Sequence, residues 1–258
     1  MLRLPTTQTS GRTVTDQAND VIPDSSDLAE STDQLPAWLY LWMPILVMAV
    51  VWSVARIDVE FYQTYIGTEA GLLEFTHILL PIFSIIVCVL ILRMPEARAD
   101  RRIFAWIAVA LVGSFYLAGE EASWGQHLGG WLTPEYWQTL NDQGETNLHN
   151  TSSWLDQKPR TILEIGIIVG GIIIPLLALW KPEIRSGPFA IFLPPLICLP
   201  VAVLAEFSRV WERLFKYGVT DFEVFYRASE LQEFYFALFI FMYLLVFRKR
   251  IVALATKA

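Results

Sequence analysis

The sequence predicts an all-α protein, a polytopic membrane helix bundle of about six transmembrane helices. Three observations lead there. Apolar residues make up 54% of the 258 and charged residues only 17%, against about a quarter charged in a soluble domain. The apolar residues arrive in long unbroken blocks, several of which reach the roughly 20 residues needed to cross a hydrocarbon core about 30 Å thick. Lys and Arg residues collect in alternate connections between those blocks, in line with the positive-inside rule. Arg209, Arg213, Lys216 and Arg227, interleaved by acids, are the exceptions on the other side.

Residues 1–35 are polar and acidic, with no apolar period, and are expected to form a disordered cytoplasmic tail. No apolar run follows Met1 and Arg3, so the tail does not read as a signal peptide. The membrane domain is expected over 36–250, with a short cytoplasmic tail at 251–258. Its spans are placed at about 36–55, 72–92, 103–119, 161–180, 188–205 and 234–247. Tryptophans at the start of the first suit an aromatic belt. In the fourth, Gly166 and Gly170 form a small-xxx-small pair suited to close helix approach. Prolines at 194, 195 and 200 are expected to kink the fifth. The stretch SRVWERLFKY after it spaces apolar residues helically and reads as an interfacial helix. An outer cap segment is expected after the third span.

Arg93, Arg98, Arg101 and Arg102 follow the second span, Lys181 and Arg185 the fourth, and Arg248, Lys249 and Arg250 the sixth. Placing them in the cytoplasm puts both termini inside and locates the chain in the cell inner membrane, with the lipid bilayer as its surroundings. No basic stripe with interleaved aromatics is present, which speaks against nucleic acid as a partner. Cys88 and Cys198 fall inside apolar blocks, so neither a disulfide framework nor a thiolate cluster is expected.

With this topology the three histidines, His77, His127 and His149, all fall at the outer side. So do Glu74, Glu120, Glu121, Glu164, Glu206, Glu230 and Glu233 at the helix ends. Ionisable groups at membrane depth cost free energy unless they face a partner or a cavity, so they mark candidate function. The most distinctive stretch is AGEEASWGQHLGGW, followed by NDQGETNLHN. If the third helix continues outward, Glu121 and Gly125 share one face, and so do Glu120 and Ser123. Glu145 and His149 share a face if their segment is helical.

The runs GEEASWGQ and QGETNLHN resemble a GEExSWGQ … QGExNLHN signature of an uncharacterised family of bacterial multipass membrane proteins. The resemblance covers about a fifth of the chain, implies a membrane location and transfers no catalytic role.

Three functions compete. The first is a metal-dependent hydrolase acting on a lipid or lipid-linked substrate. Its metal ligands would be Glu74, His77, His127 and His149, and its catalytic groups Glu120, Glu121, Ser123 and Glu145. Zinc takes such ligands and acidifies a bound water. The arrangement is similar in kind to ceramidase-like membrane hydrolases, but the last span lacks an HxxxH pair and the chain is one span short, so no residue is carried over from them. The second is a carboxylate-bridged di-iron site, for which Glu74-x-x-His77 with Glu121, Glu206, Glu230 and Glu233 supplies most of the ingredients. The third is a non-enzymatic accessory or assembly subunit, or a transporter, in which Arg160, Arg209, Arg213 and Arg227 pair structurally with the glutamates.

Overall fold

In the computed structural model, described at residues 32–68, 71–140, 153–187, 189–221, 225 and 227–256, the regular structure is entirely helical. Five helical segments are long and apolar enough to cross a membrane: Trp38–Ile57, Leu72–Leu92, Arg101–Glu121, Lys158–Trp180 and Ala190–Lys216. We label the first four α1 to α4. In the fifth, regular α-helix begins only at Leu199, so α5 is Leu199–Lys216. The last helix, α6, is Ala228–Ala255.

The expected sixth span is therefore not among the candidates. Glu230 and Glu233 stand at one end of α6 and Arg248, Lys249 and Arg250 towards the other. The apolar stretch between them, residues 234–247, is 14 residues long. At about 1.5 Å per residue it covers about 21 Å, short of a hydrocarbon core. Yet α6 is the helix the others surround, with buried residues on all its sides from Ala228 to Ile251. A helix that is apolar all round belongs in the middle of a bundle.

Side-chain contacts set the helix directions. The imidazole of His77, near the start of α2, meets the backbone of Glu230 near the start of α6, and further along Phe83 stacks on Phe241. These two helices run parallel. Helix α3 returns antiparallel: Trp106 at its start donates to the Tyr243 hydroxyl, and Glu121 at its end reaches His77. Arg160 at the start of α4 meets Glu233, and Arg213 at the end of α5 pairs with Glu164. The bundle thus has a carboxylate end and an opposite, basic end.

At the basic end Asp33 ties the chain together. The Arg250 guanidinium grips its carboxylate with two bonds of 2.7 Å. It also donates to the carbonyls of Ile191 and Leu193 at 2.8 and 2.7 Å. Arg185 adds a contact to Asp33 at 3.3 Å, and the Lys249 ammonium donates to the Gln34 carbonyl. Asp33 and Gln34 lie in the stretch read from sequence as tail; residues 1–31 lie outside the described residues. Nearby, Asp100 caps α3 through the Arg102 N–H, and its hydrogen bonds with Arg102 hold its carboxyl below the usual carboxylate range.

Two local expectations are corrected. Pro194 and Pro195 do not kink a helix; residues 190–198 form two short 3-10 turns joined by extended backbone, and α5 starts after them with Pro200 in its first turn. The stretch 208–217 is no separate interfacial helix but the unbroken second half of α5 and its cap. The closest approach in α4 falls at Gly171 and not at the Gly166/Gly170 pair, of which Gly170 alone nears a neighbour, Pro194 at 3.3 Å from an added methyl. A methyl on Gly166 would meet nothing within 4 Å, whereas one on Gly171 would lie 2.6 Å from the Phe239 ring and 2.8 Å from the Ala202 methyl. Gly171→Leu is therefore expected to cost about 1–3 kcal/mol through overpacking, and Gly166→Leu less than about 0.5 kcal/mol. Unfolding of both variants in one detergent checks this; equal costs would remove Gly171 as the contact point.

Candidate metal centre

His77 sits in the second turn of α2 and is 2% exposed. Its Nε2 lies 2.9 Å from the backbone carbonyl oxygen of Glu230. A carbonyl only accepts, so Nε2 carries the hydrogen, and in the neutral ring Nδ1 is left with a bare lone pair. Nδ1 is buried and, among the described residues, its neighbours stand at ion-pair distance and not in aligned hydrogen-bond geometry. Around it stand three carboxylate oxygens: Glu121 Oε2 at 3.4 Å, Glu230 Oε2 at 3.8 Å and Glu233 Oε2 at 3.9 Å. Ligand atoms of His77, Glu121 and Glu233 lie within 4.8 Å of one another. Tetrahedral ligands at about 2.0–2.1 Å from zinc are about 3.4 Å apart, so the three need only a small inward movement to share one cation.

The supporting groups orient this set. Glu230 and Glu233 are spaced i, i+3 in the first turns of α6, so both face α2. Each gives one oxygen to an arginine and turns the other towards His77. Arg227 holds Glu230 Oε1 at 3.0 Å and donates to the Gly67 carbonyl at 2.7 Å. Arg160 holds Glu233 Oε1 at 2.9 Å and reaches the Ser229 carbonyl and Gln232 Oε1 at 3.3 and 3.4 Å. Partners of this kind fix the direction of a ligand and tune its affinity.

Glu121 reaches the centre because α3 stops there. Ala122 caps the helix, and Ser123, Trp124 and Gly125 follow with φ of 44°, 53° and 96°. This left-handed elbow folds Trp124 back along α3. The indole N–H donates to Glu120 Oε1 at 2.8 Å, the ring stacks on Phe115, and it covers Gly119 so closely that a methyl there would lie 2.8 Å from it. The expected outward continuation of α3, which was to bring Ser123 and Gly125 onto the faces of Glu120 and Glu121, does not occur. Ser123, Trp124 and Arg227 are the non-glycine residues with positive φ among those described. Each such residue costs about 1–3 kcal/mol and such residues cluster at working sites. Two follow Glu121 directly and the third lies three residues before Glu230.

The expected site residues therefore separate. His77 and Glu121 are brought together. Glu120 is buried and turned to the elbow, and Ser123 is buried within the elbow backbone. Glu74 lies one turn before His77 and half-buried, outside the mutually close set. His127 belongs to the short helix Gln126–Gly129, but its side chain, like Glu145 and His149 altogether, lies outside the described residues. Glu206 stands beside Glu164 instead, in a group where Arg213 pairs with Glu164 and Arg209 with Glu212. Of the groups named for the di-iron and ion-pair alternatives, Glu233 joins His77 and Glu121 in the mutually close set, and Glu230, Arg160 and Arg227 stand around it. Their signal was present in SELQE: two glutamates at i, i+3 where the final apolar helix begins.

Comparison with known proteins adds no relative. No family model matches the chain, and no curated protein or solved structure matches it. The functional reading stands on geometry alone.

Proposed function

We propose that this chain is a membrane-embedded metal-dependent hydrolase, with one divalent cation held by His77, Glu121 and Glu233. The observation that carries the reading is the buried His77 Nδ1, with carboxylate oxygens of Glu121 and Glu233 turned towards it at 3.4 and 3.9 Å. Imidazole with two carboxylates suits zinc, manganese or iron in the divalent state. One histidine in the set favours a single cation over the di-iron alternative. Such an ion makes a bound water acidic enough to attack near neutral pH. The water oxygen bonds to a carbonyl or phosphoryl centre, the bond to the alkoxy oxygen breaks, and the alcohol leaves with one of the water's protons while the acid product releases the other.

The depth of the centre supports a lipid or lipid-linked substrate. Exposed aromatics sit at or just beyond span ends at both faces of the bundle. Phe61, Tyr65, Trp131, Tyr136 and Tyr217 mark the carboxylate end, and Trp180 and Phe189 the basic end. Aromatic belts of this kind settle at the headgroup level, so the centre lies just inside one headgroup layer, near the polar linkages of a lipid. In this arrangement α6 crosses as the surrounded sixth helix, the basic end faces the cytoplasm and both termini lie there.

The Arg160–Glu233 and Arg227–Glu230 pairs favour a second reading, in which the cluster is a structural ion-pair network of an accessory subunit. Metal analysis of the purified chain separates the two. About one zinc, manganese or iron per chain, lost in His77→Ala and Glu233→Gln, is the expected result. A metal-free protein that also fails to take up any of the three ions when they are supplied would leave only the structural network.

A further inference from the structure

The number of protein ligands decides what such a centre can do, since a closed set of four makes a structural site whereas three leave a position for water. Glu230 is the residue in question. Its Oε2 lies 3.8 Å from His77 Nδ1, no farther than that of Glu233 at 3.9 Å, which by distance alone would make it a fourth ligand. Resting on the cation reading above, we infer that Glu230 does not bind the cation but holds the water on it, as a hydrogen-bond acceptor beside an open coordination position.

Three observations on this residue carry the inference. The ligand atoms within 4.8 Å of one another belong to His77, Glu121 and Glu233; the Glu230 carboxylate approaches the imidazole but is not part of that set. Its other oxygen is committed to Arg227 at 3.0 Å, and Arg227 is itself anchored to the Gly67 carbonyl at 2.7 Å, so the carboxylate is tethered on the side away from the cation. Its main chain is fixed as well, because the Glu230 carbonyl takes the His77 Nε2 hydrogen at 2.9 Å. Moving residue 230 inward to coordinate would break the bond that sets the imidazole tautomer, and pulling the side chain inward would break the bond to Arg227. The Glu233 carboxylate is likewise held by an arginine, Arg160 at 2.9 Å, but its ligand atom already lies within the mutually close set, and it is the Glu230 main chain that takes the imidazole hydrogen. Arg227 holds left-handed backbone, φ 48° and ψ 53°, at the start of α6, which directs its guanidinium to Glu230 and makes it a positioning residue for the water.

The full chain in detergent, loaded with cobalt(II) and probed with acetohydroxamate, tests this without a known substrate. Wild type is expected to bind one cobalt, and its visible spectrum to change when the hydroxamate displaces the water. Glu230→Gln is expected to keep one cobalt, with affinity within about tenfold of wild type as for a group outside the ligand set, while its hydroxamate affinity falls at least about tenfold. Loss of cobalt from Glu230→Gln at concentrations that saturate wild type would show a fourth ligand and overturn the inference. So would a wild-type cobalt spectrum that ignores hydroxamate, a result that needs no variant to fold. If wild type itself takes up no cobalt, the cation reading fails first and this inference with it.

Discussion

Arg250→Met is expected to destabilise the bundle by about 3–5 kcal/mol, the usual cost of removing one partner from a buried ion pair. Arg250 is 8% exposed, and the change strips Asp33 of its two-bond partner and leaves the Ile191 and Leu193 carbonyls without a donor. Methionine keeps most of the apolar stem, so little of the loss comes from packing. Arg185 still reaches Asp33 at 3.3 Å, which sets the lower end of the range. Because the two residues share one interaction, Asp33→Asn combined with Arg250→Met is expected to cost less than the two single changes added together. Equilibrium unfolding in a single detergent measures all three proteins. A loss under about 1 kcal/mol for Arg250→Met would show that the segments meeting at Asp33 are held by something else.

Neighbouring glutamates on α3 are expected to fail in different ways. On the cation reading, Glu121→Gln should abolish stoichiometric metal binding while leaving the fold intact, because Glu121 supplies one of the two carboxylates that stand with the His77 imidazole in the close set. Glu120→Gln should keep the metal and lower stability by about 1.5–3 kcal/mol, the range for a hydrogen bond to a charged group. Its carboxylate is buried and accepts the Trp124 indole N–H. Metal content and unfolding midpoints, measured on the same two preparations, distinguish the roles. Metal lost equally from both would mean that the elbow and the centre are one cooperative unit.

Most of the helical scaffold was legible in the sequence, since an apolar block of span length has few structures open to it in a bilayer. The second span, expected at 72–92, coincides with Leu72–Leu92. The clustering of the glutamates was legible as well: Glu121, Glu164, Glu230 and Glu233 share one end of the bundle, though Arg160, Arg213 and Arg227 stand there with them. What failed was anything that depends on where a helix stops. Nothing in SWG announces three consecutive left-handed residues, because Ser and Trp have no preference for that region; Trp124 adopts it because its ring gains cover on Gly119 and a bond to Glu120. The 190s were misread for a related reason: adjacent prolines were treated as a kink, when two missing N–H groups in succession leave too few bonds to keep a helix. The sequence groups Glu230 and Glu233 with His77 in the di-iron alternative but cannot select them over Glu74 and Glu206, because parallel packing of α2 and α6 is a tertiary fact that no local pattern states.

The direction of the helices at the carboxylate end carries one more consequence. Helices α2 and α6 begin there while α3 and α5 end there, so the opposite half charges of their N- and C-termini largely offset one another beneath a dense group of acids. It is Arg160 and Arg227 that soften the mutual repulsion of Glu121, Glu230 and Glu233. A site built this way is assembled by the fold, and a cation can enter or leave it without the bundle coming apart. On the cation reading, a chelator is then expected to strip the centre reversibly while leaving the unfolding midpoint of the bundle little changed.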